Sequence, residues 1–449
     1  MDPCNDVHCL NAEQKRAYDI ITRQKKNVAL LGLPGCGKTF LISYMYDAFL
    51  QQGRKVALTA LTGCAALLLH RRAMTLHSWA GVGLAKDPVD KLLQKVRKSP
   101  SALKRWIMTD VLIIDEVSMM TPELLEKLDA IAKKIRKNNK QMGGLQMVFV
   151  GDFYQLPPVV TDGKEVCFAF ESPLWKVVVQ EVVELTQIMR QRDPVFQDII
   201  THARDGSLTE EHMKVLHSRM NLDWKSLRIM PTLIFSRRAE VTLVNQQNLD
   251  ALDGKKINYN ASTVFGPECK FPQDSADVKY AVAKLDRDSS YEETLVLKKN
   301  AQVMLLQNRM DDRLVNGSRG IVVGFGPEPG NYPIVEFLGG SEPILIEPFA
   351  WESDICEGVF RKQIPLRLAY AVTIHKSQGA TLDCALIDIG EKTFECGQAY
   401  VALSRVKSLE SLYIWDVEPS AFKTHPKVVA FYKSLAVPVV EDSGDPGAV

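Results

Sequence analysis

Residues 32–39 read Gly-Leu-Pro-Gly-Cys-Gly-Lys-Thr. A turn of this composition, with Gly32, Gly35 and Gly37 free of side chains, lets backbone N–H groups point inward around phosphate oxygens. Leu33, Pro34 and Cys36 fill the remaining loop positions. Lys38 then reaches the β- and γ-phosphates, and the Thr39 hydroxyl coordinates Mg²⁺. The apolar run before the loop and the helical pattern after it are the context this chemistry requires. Further on, Val-Leu-Ile-Ile (111–114) runs into Asp115-Glu116. A carboxylate at the end of a strand holds Mg²⁺ directly or through water, and a second beside it polarises the attacking water. An acidic pair alone is also a common helix-cap feature. With the phosphate loop upstream, the two motifs together predict hydrolysis of a nucleoside triphosphate, without saying to what end.

The elements that must position these residues are legible as periodicity. Short apolar runs at 28–33, 56–61, 111–115 and 147–152 suit strands buried on both faces of a parallel sheet. Between them, 39–52 carries a helical stripe (Phe40, Leu41, Tyr44, Met45, Ala48, Phe49) stopped by Gly53. Thr121-Pro122-Glu123 opens a second helix, with Thr as cap and Pro in the first turn. A second set of runs lies at 232–235, 385–389 and 411–415. Its halves are separated by residues 300–360, whose short β-rich runs between Gly, Pro and Asn clusters predict an inserted antiparallel barrel or sheet. The basic helical segment 83–107 interrupts the first set. The expected division is residues 1–185, 186–435 and a frayed tail at 436–449.

Lys+Arg number 55 and Asp+Glu 54, a formal net charge of +1 over 449 residues. That balance excludes a basic-tail or an acidic solvating chain, and any nucleic-acid contact must come from a local patch. Hydrophobic residues at 46% and charged residues at 24% match a folded globular chain. No apolar run approaches the ~20 residues needed to span a bilayer, so no membrane partner is expected. The N-terminus lacks the pattern of a signal or transit peptide, which reads as an intracellular, soluble protein without resolving nucleus, mitochondrion, bacterium or virus. The nine cysteines are scattered without a CxxC. Reduced thiols are expected rather than disulfides or a zinc site.

The remaining motifs resemble one family. Asn11-Ala12-Glu13-Gln14 is similar to the adenine-sensing element of superfamily-one helicases, through Gln14; it also fits a capping box with Asn11 as cap, and the two readings are compatible. TALTGCAA (59–66) and TLHSWAG (75–81) resemble the segments that touch single-stranded DNA. GDFYQLPPV (151–159) resembles the third motif, in which Gln155 senses the γ-phosphate. LTQIMRQ (185–191) resembles the fourth, with Arg190 as an arginine finger. TIHKSQGATLD (373–383) is similar to the fifth, which would bring Gln378 and Gly379 to the nucleotide. AYVALSRVKS (399–408) is similar to the sixth, with Arg405 as second finger. Residues 123–146 are similar to the signature segment of the Pif (petite integration frequency) DNA helicases, and argue against RecD- or relaxase-like relatives.

What the resemblance implies is a 5′→3′ DNA helicase of superfamily one B that uses ATP and Mg²⁺. Its implied body is two RecA-like α/β domains, a small helical wedge and a small β-barrel. Lys38, Thr39 and Asp115 would lie on one side of the ATP cleft, with Arg190 and Arg405 on the other. The implied partners are single-stranded DNA and tailed duplex; G-quadruplex DNA and RNA–DNA hybrids stay open, and a monomer is expected. Thr62, Gly63, His77, Ser78, His375, Lys376 and Ser377 are the candidate phosphate donors, and Phe153, Tyr154 and Trp79 the candidate stacking platforms. Each aromatic could instead be core, and each histidine could be satisfied by nearby backbone. The basic run 133–140 reads equally as a nucleic-acid contact or a solvated helix end. The competing reading is an ATP-driven DNA-binding protein that displaces proteins, or unwinds RNA–DNA hybrids, without processive duplex unwinding.

Overall fold

The computed structural model describes residues 9–436 apart from 71–72, 161–164, 236, 308, 310–313, 315, 339, 341, 354 and 392. Its first body is a six-stranded parallel sheet built from β1 (Val28–Gly32), β2 (Val56–Ala60), β3 (Met74–Thr75), β4 (Val111–Asp115), β5 (Gln146–Gly151) and β6 (Glu181–Leu185), in the order β3-β2-β4-β5-β1-β6. The two-residue period of a strand sorts its side chains between two cores. Val28, Leu30, Ile113 and Val148 pack with Ile42, Met45 and Phe49 of the helix Lys38–Gln51. Ala29, Leu31, Leu112 and Phe149 pack on the opposite face with Leu124 and Leu128 of the helix Pro122–Arg136. Both faces are therefore covered, as a parallel sheet requires. The loop 32–39, Asp115 and Asp152 all follow carboxyl ends of these strands, the edge where open α/β sheets bind ligands.

Residues 83–107 contribute the helices Val89–Lys98 and Pro100–Met108. Leu92, Leu93 and Val96 are buried against the first body, whereas Lys91, Lys95, Arg97 and Lys98 are exposed. The helix Pro122–Arg136 buttresses this insertion. Lys127 Nζ donates to the Ala85 carbonyl (2.7 Å), Lys134 pairs with Asp90 (2.8 Å), and the Arg136 guanidinium donates to the carbonyls of Trp106 (2.7 Å) and Thr109 (2.9 Å). The run 133–140 is thus neither wholly a solvated helix end nor a row of free cations: Arg136 is turned inward to carbonyls, and Lys133 is paired with Asp129 (2.6 Å).

The second body is a four-stranded parallel sheet in the order 371–373, 232–235, 385–389, 412–417. Antiparallel strands interrupt it over a longer span than 300–360: they begin at Ile257–Asn260 and end at Leu366–Leu368, divided among five-, three- and two-stranded sheets. The early strands escaped the reading because Ile257–Asn260 and Ser262–Phe265 are polar and half-exposed. The last helix, Pro426–Ala436, returns to the first body and sets Val428 and Tyr432 into its core. One buried carboxylate ties the bodies together. Asp152 accepts from Arg204 (3.1 Å), from the Tyr400 hydroxyl (2.8 Å) and from the Tyr432 hydroxyl (3.1 Å). Among the described residues no helix is long and apolar enough to cross a membrane.

Candidate active site

Pro34, Gly35, Gly37, Lys38, Thr39, Asp115, Glu116, Gln155, Arg190, Gly379 and Arg405 line one cleft of about 380 Å³. Gly35 and Gly37 hold φ of +80° and +85°, a backbone that side chains disfavour, and a Cβ on Gly35 would lie 2.6 Å from the Arg190 Cβ. Lys38 Nζ folds back on the loop and donates to the carbonyls of Gly32 (2.7 Å) and Leu33 (2.8 Å). Asp115 accepts from the Glu116 amide (2.9 Å), and Glu116 itself sits at φ +58°. Burial, reinforced by Asp115, pushes the Glu116 carboxyl up to about 7, against the pull of Lys38 and Arg405 and the Gln378 hydrogen bond. Burial and the nearby Arg190 push Arg405 down to about 9. Three cations and two carboxylates thus converge where burial disfavours charge, and the two guanidiniums repel each other; a bound polyanion relieves both strains. The donors that could hold a divalent cation, the Thr39 hydroxyl and the Asp115 carboxylate, are hard oxygens suited to Mg²⁺.

Several expected residues stand behind the cleft rather than in it. Gln14 is 3% exposed; it completes the capping box with Asn11 and donates to the Cys36 carbonyl (3.2 Å), which ties the first helix to the loop. Gly32, Leu33 and buried Cys36 form the base of the loop. Gln378 is buried with its amide on Glu116 (2.9 Å). Arg190 bridges the two walls: its amide and that of Met189 donate to the Gly35 carbonyl (3.2 and 2.8 Å), while its Nη1 donates to the Ser404 carbonyl beside Arg405 (3.2 Å).

A second cavity of about 1100 Å³ gathers Gly63, His77 and Ser78 with Lys95, Lys98, Lys104 and Arg105 of the insertion. Its far wall carries Lys270, Tyr280, Lys284 and Arg287, and Lys284 Nζ donates to Ser78 Oγ across the gap. Thr62 caps the helix Gly63–Leu69 through the Ala65 amide (3.2 Å). Two stacking expectations fail. Phe153 is 1% exposed inside a cluster with Phe168, Phe170, Trp175 and Phe431, and Trp79 is 2% exposed against Trp106; core packing claimed these rings. Tyr154 is half-buried and stacks on Tyr432. Ser377 is also buried, with its hydroxyl on the Ile374 carbonyl (2.8 Å). The side chains of His375 and Lys376 lie outside what the structure describes.

The family described as PIF1-like helicase matches residues 9–214, and the 2B domain of the DNA helicase Pif1 matches 284–325. The ATP-dependent DNA helicase RRM3 of Saccharomyces cerevisiae is 32% identical over 95% of this chain and 68% of its own length. The chain belongs to the PIF1-like helicase family. The ATP-dependent DNA helicase PIF1 of Danio rerio is 37% identical over 91% of this chain and 62% of its own length. The chain spans little more than half of some other curated relatives, 54% for the Emericella nidulans PIF1. Among solved structures, Candida albicans Pif1 superposes with a TM-score of 0.79 at 35% identity, covering 95% of this chain and 99% of that one. Bacteroides Pif1 in complex with ADP-AlF3 and ssDNA superposes with a TM-score of 0.67 at 26% identity, covering 95% and 97%.

In this PIF1-like chain, motif reading missed the apolar wall of the cleft. Phe40 and Met189 are 48% and 56% exposed beside the loop, with Ala65, Leu68 and Leu69 behind them. Phe40 follows Thr39 directly and Met189 precedes Arg190, so proximity to the motifs was the available signal. Lys270, Lys284 and Arg287 belong to no motif, and only the fold brings them opposite the insertion.

Proposed function

We propose that this protein is an ATP-dependent DNA helicase that translocates on single-stranded DNA in the 5′→3′ direction and separates duplex ahead of it. The observation that carries the reading is the single cleft in which the phosphate loop, the acidic pair, Gln155 and two arginines meet. Lys38 leaves the loop carbonyls and takes the β/γ-phosphate oxygens. Thr39 and Asp115 would hold Mg²⁺, which would supply charge neutralisation for the phosphates. Glu116 accepts a proton from the attacking water, and its raised affinity for that proton suits a base working near neutral pH. Gln155 registers the γ-phosphate. Arg190 and Arg405 offset the charge developing on it, a role worth roughly 10³–10⁵ in rate for such fingers in other NTPases.

The second cavity is the proposed path of the strand. Its cations suit phosphate tracking, and Gly63, His77 and Ser78 lie on its wall. Thr62, Lys376 and His375 remain proposed contacts on the resemblance alone. Names of the relatives, ATP-dependent DNA helicase, and the single-stranded DNA in the Bacteroides complex support this reading. Strand displacement on duplexes bearing a 5′ or a 3′ single-stranded tail tests it. ATP-dependent displacement of the 5′-tailed substrate alone is expected. Displacement confined to the 3′ tail overturns the polarity, and displacement of neither, with ATPase intact, favours a protein-displacing translocase.

A further inference from the structure

Gln191 follows the proposed finger Arg190 and is 1% exposed. Its Nε2 donates to the Val406 carbonyl (2.9 Å) and to the Ser404 carbonyl (3.4 Å), the residues on either side of Arg405. Arg190 Nη1 donates to the same Ser404 carbonyl (3.2 Å). Gln191 is held in turn: Gln197 Nε2 donates to its carbonyl at 2.6 Å. The other end of the segment is fixed to the phosphate loop, since the Met189 and Arg190 amides share the Gly35 carbonyl. Gln191 Oε1 is buried with no hydrogen-bond partner among the described residues. It lies 3.1 Å from where a Cβ on Gly35 would stand. A side-chain amide that grips the peptides flanking a guanidinium sets the direction in which that guanidinium leaves the backbone. A buried amide with half of its bonding capacity unused has a poor reason to be there for stability alone.

We infer that Gln191 is a positioning residue for Arg405: it clamps the sixth motif onto the fourth and, through Gly35, registers both arginines against the phosphate loop. The inference rests on the proposed ATPase reading and adds to it a residue that touches no nucleotide. Because the clamp acts through Arg405, it matters where that charge matters, in the transition state of phosphoryl transfer, and not in holding the ground-state nucleotide. A displacement of the order of 1 Å is enough to lose up to about a hundred-fold in rate.

The test is a double-mutant cycle read by binding. Gln191→Met keeps the length and bulk of the side chain and removes the amide. Affinities for ADP and for ADP with aluminium fluoride, a mimic of the transferring phosphoryl group, are measured in Mg²⁺ on the parent, Gln191→Met, Arg405→Ala and the double variant. Gln191→Met is expected to weaken the aluminium fluoride complex about ten- to a hundred-fold while ADP affinity stays within about two-fold. In the Arg405→Ala background the same change should cost less than about two-fold, since the residue it positions is gone. DNA-stimulated kcat should fall in step with the analogue affinity, with KM for ATP little changed. Equal losses in both backgrounds, or parallel losses for ADP and the analogue, overturn the inference: Gln191 would then be structural or act elsewhere. Should Gln191→Met fail to fold, Gln191→Asn, which keeps an amide one methylene short of its carbonyls, runs the same cycle with the same criteria. A parent that binds the analogue no better than ADP and hydrolyses no ATP overturns the reading of the cleft itself. A parent that does both, with additive penalties, overturns the role of Gln191 alone.

Discussion

Arg204→Ala attacks a buried ion pair that joins the two bodies. Asp152 is 0% exposed, and Arg204 donates to it through Nε (3.2 Å) and Nη2 (3.1 Å) while also pairing with Glu184 (2.8 Å). The guanidinium lies 4.7 Å from the ring centroids of both Tyr154 and Tyr432. Deleting it leaves a buried carboxylate with the Tyr400 and Tyr432 hydroxyls and the Tyr154 amide, and no cation. Orphaning one partner of a buried pair costs about 3–5 kcal/mol, and two cation–π contacts add about 0.5–1 kcal/mol each. The expected loss is therefore on the order of 4–7 kcal/mol. Tyr400→Phe removes a single hydrogen bond to a charged acceptor, about 1.5–3 kcal/mol. Urea unfolding followed by tryptophan fluorescence should rank the two in that order. Asp152→Asn added to Arg204→Ala should recover part of the loss, because a neutral amide is less costly to strand than a carboxylate. A midpoint for Arg204→Ala above that of Tyr400→Phe, or a double variant weaker than the single one, would refute this account of the junction.

Two further outcomes follow from the sites. Glu116→Gln should still bind ATP yet lose about 10²–10⁴ in kcat, the usual contribution of a positioned base, and phosphate release under saturating DNA and ATP measures it; near-parental turnover would move water activation to another group. Lys95→Glu, Lys98→Glu and Lys104→Glu together reverse three exposed charges on the second cavity without touching the cleft, so the log–log salt slope for single-stranded DNA binding should fall by at least about 2, at roughly 0.7 per phosphate contact, while basal ATPase holds; an unchanged slope would remove these lysines from the strand's path.

The chemistry was legible where a residue's type is dictated by what it must hold. Gly35, Lys38, Asp115 and Arg405 reach one cleft because spacing and strand ends fix them locally. The strand runs at 28–33, 111–115 and 147–152 were legible because burial on both faces leaves no polar alternation. What stayed hidden depends on tertiary packing. An aromatic in a loop motif looks alike whether it stacks on a base or on Phe168, and Phe153 chose the latter. The two-residue strand Met74–Thr75 and the edge strand Glu181–Leu185, with its half-exposed glutamates, carry too little apolar pattern to be read. The helix Pro122–Arg136 was read from its cap and first-turn proline, but its part in bracing the insertion rests on Lys127, Lys134 and Arg136 reaching residues distant in sequence. The same bracing bears on the insertion itself. Leu92, Leu93 and Val96 are core residues, so excising 86–104 would open the first body, and charge reversal is the cleaner perturbation.

The two cavities are not independent volumes. The helix Gly63–Leu69 presents Ala65, Leu68 and Leu69 to the nucleotide cleft, and its first residue, Gly63, to the larger cavity. Thr62 caps it, so a strand that engages this turn bears on the element that forms the cleft wall. From the second body, Gly379 lies against Leu68: a Cβ there would stand 2.9 Å from the leucine's Cδ1. A change in spacing between the bodies must therefore move past this helix, and a preference of either ligand for one spacing is felt at the other site. Such coupling is reciprocal: whatever factor by which single-stranded DNA tightens ATP binding, ATP tightens DNA binding by the same factor. Hydrolysis breaks that symmetry. In the proposed mechanism, departure of the γ-phosphate removes the charge that Arg190 and Arg405 face in the cleft, and burial again disfavours their convergence. On that reading the cleft then relaxes and the grip on the strand changes with it, which is what directional movement along a backbone requires.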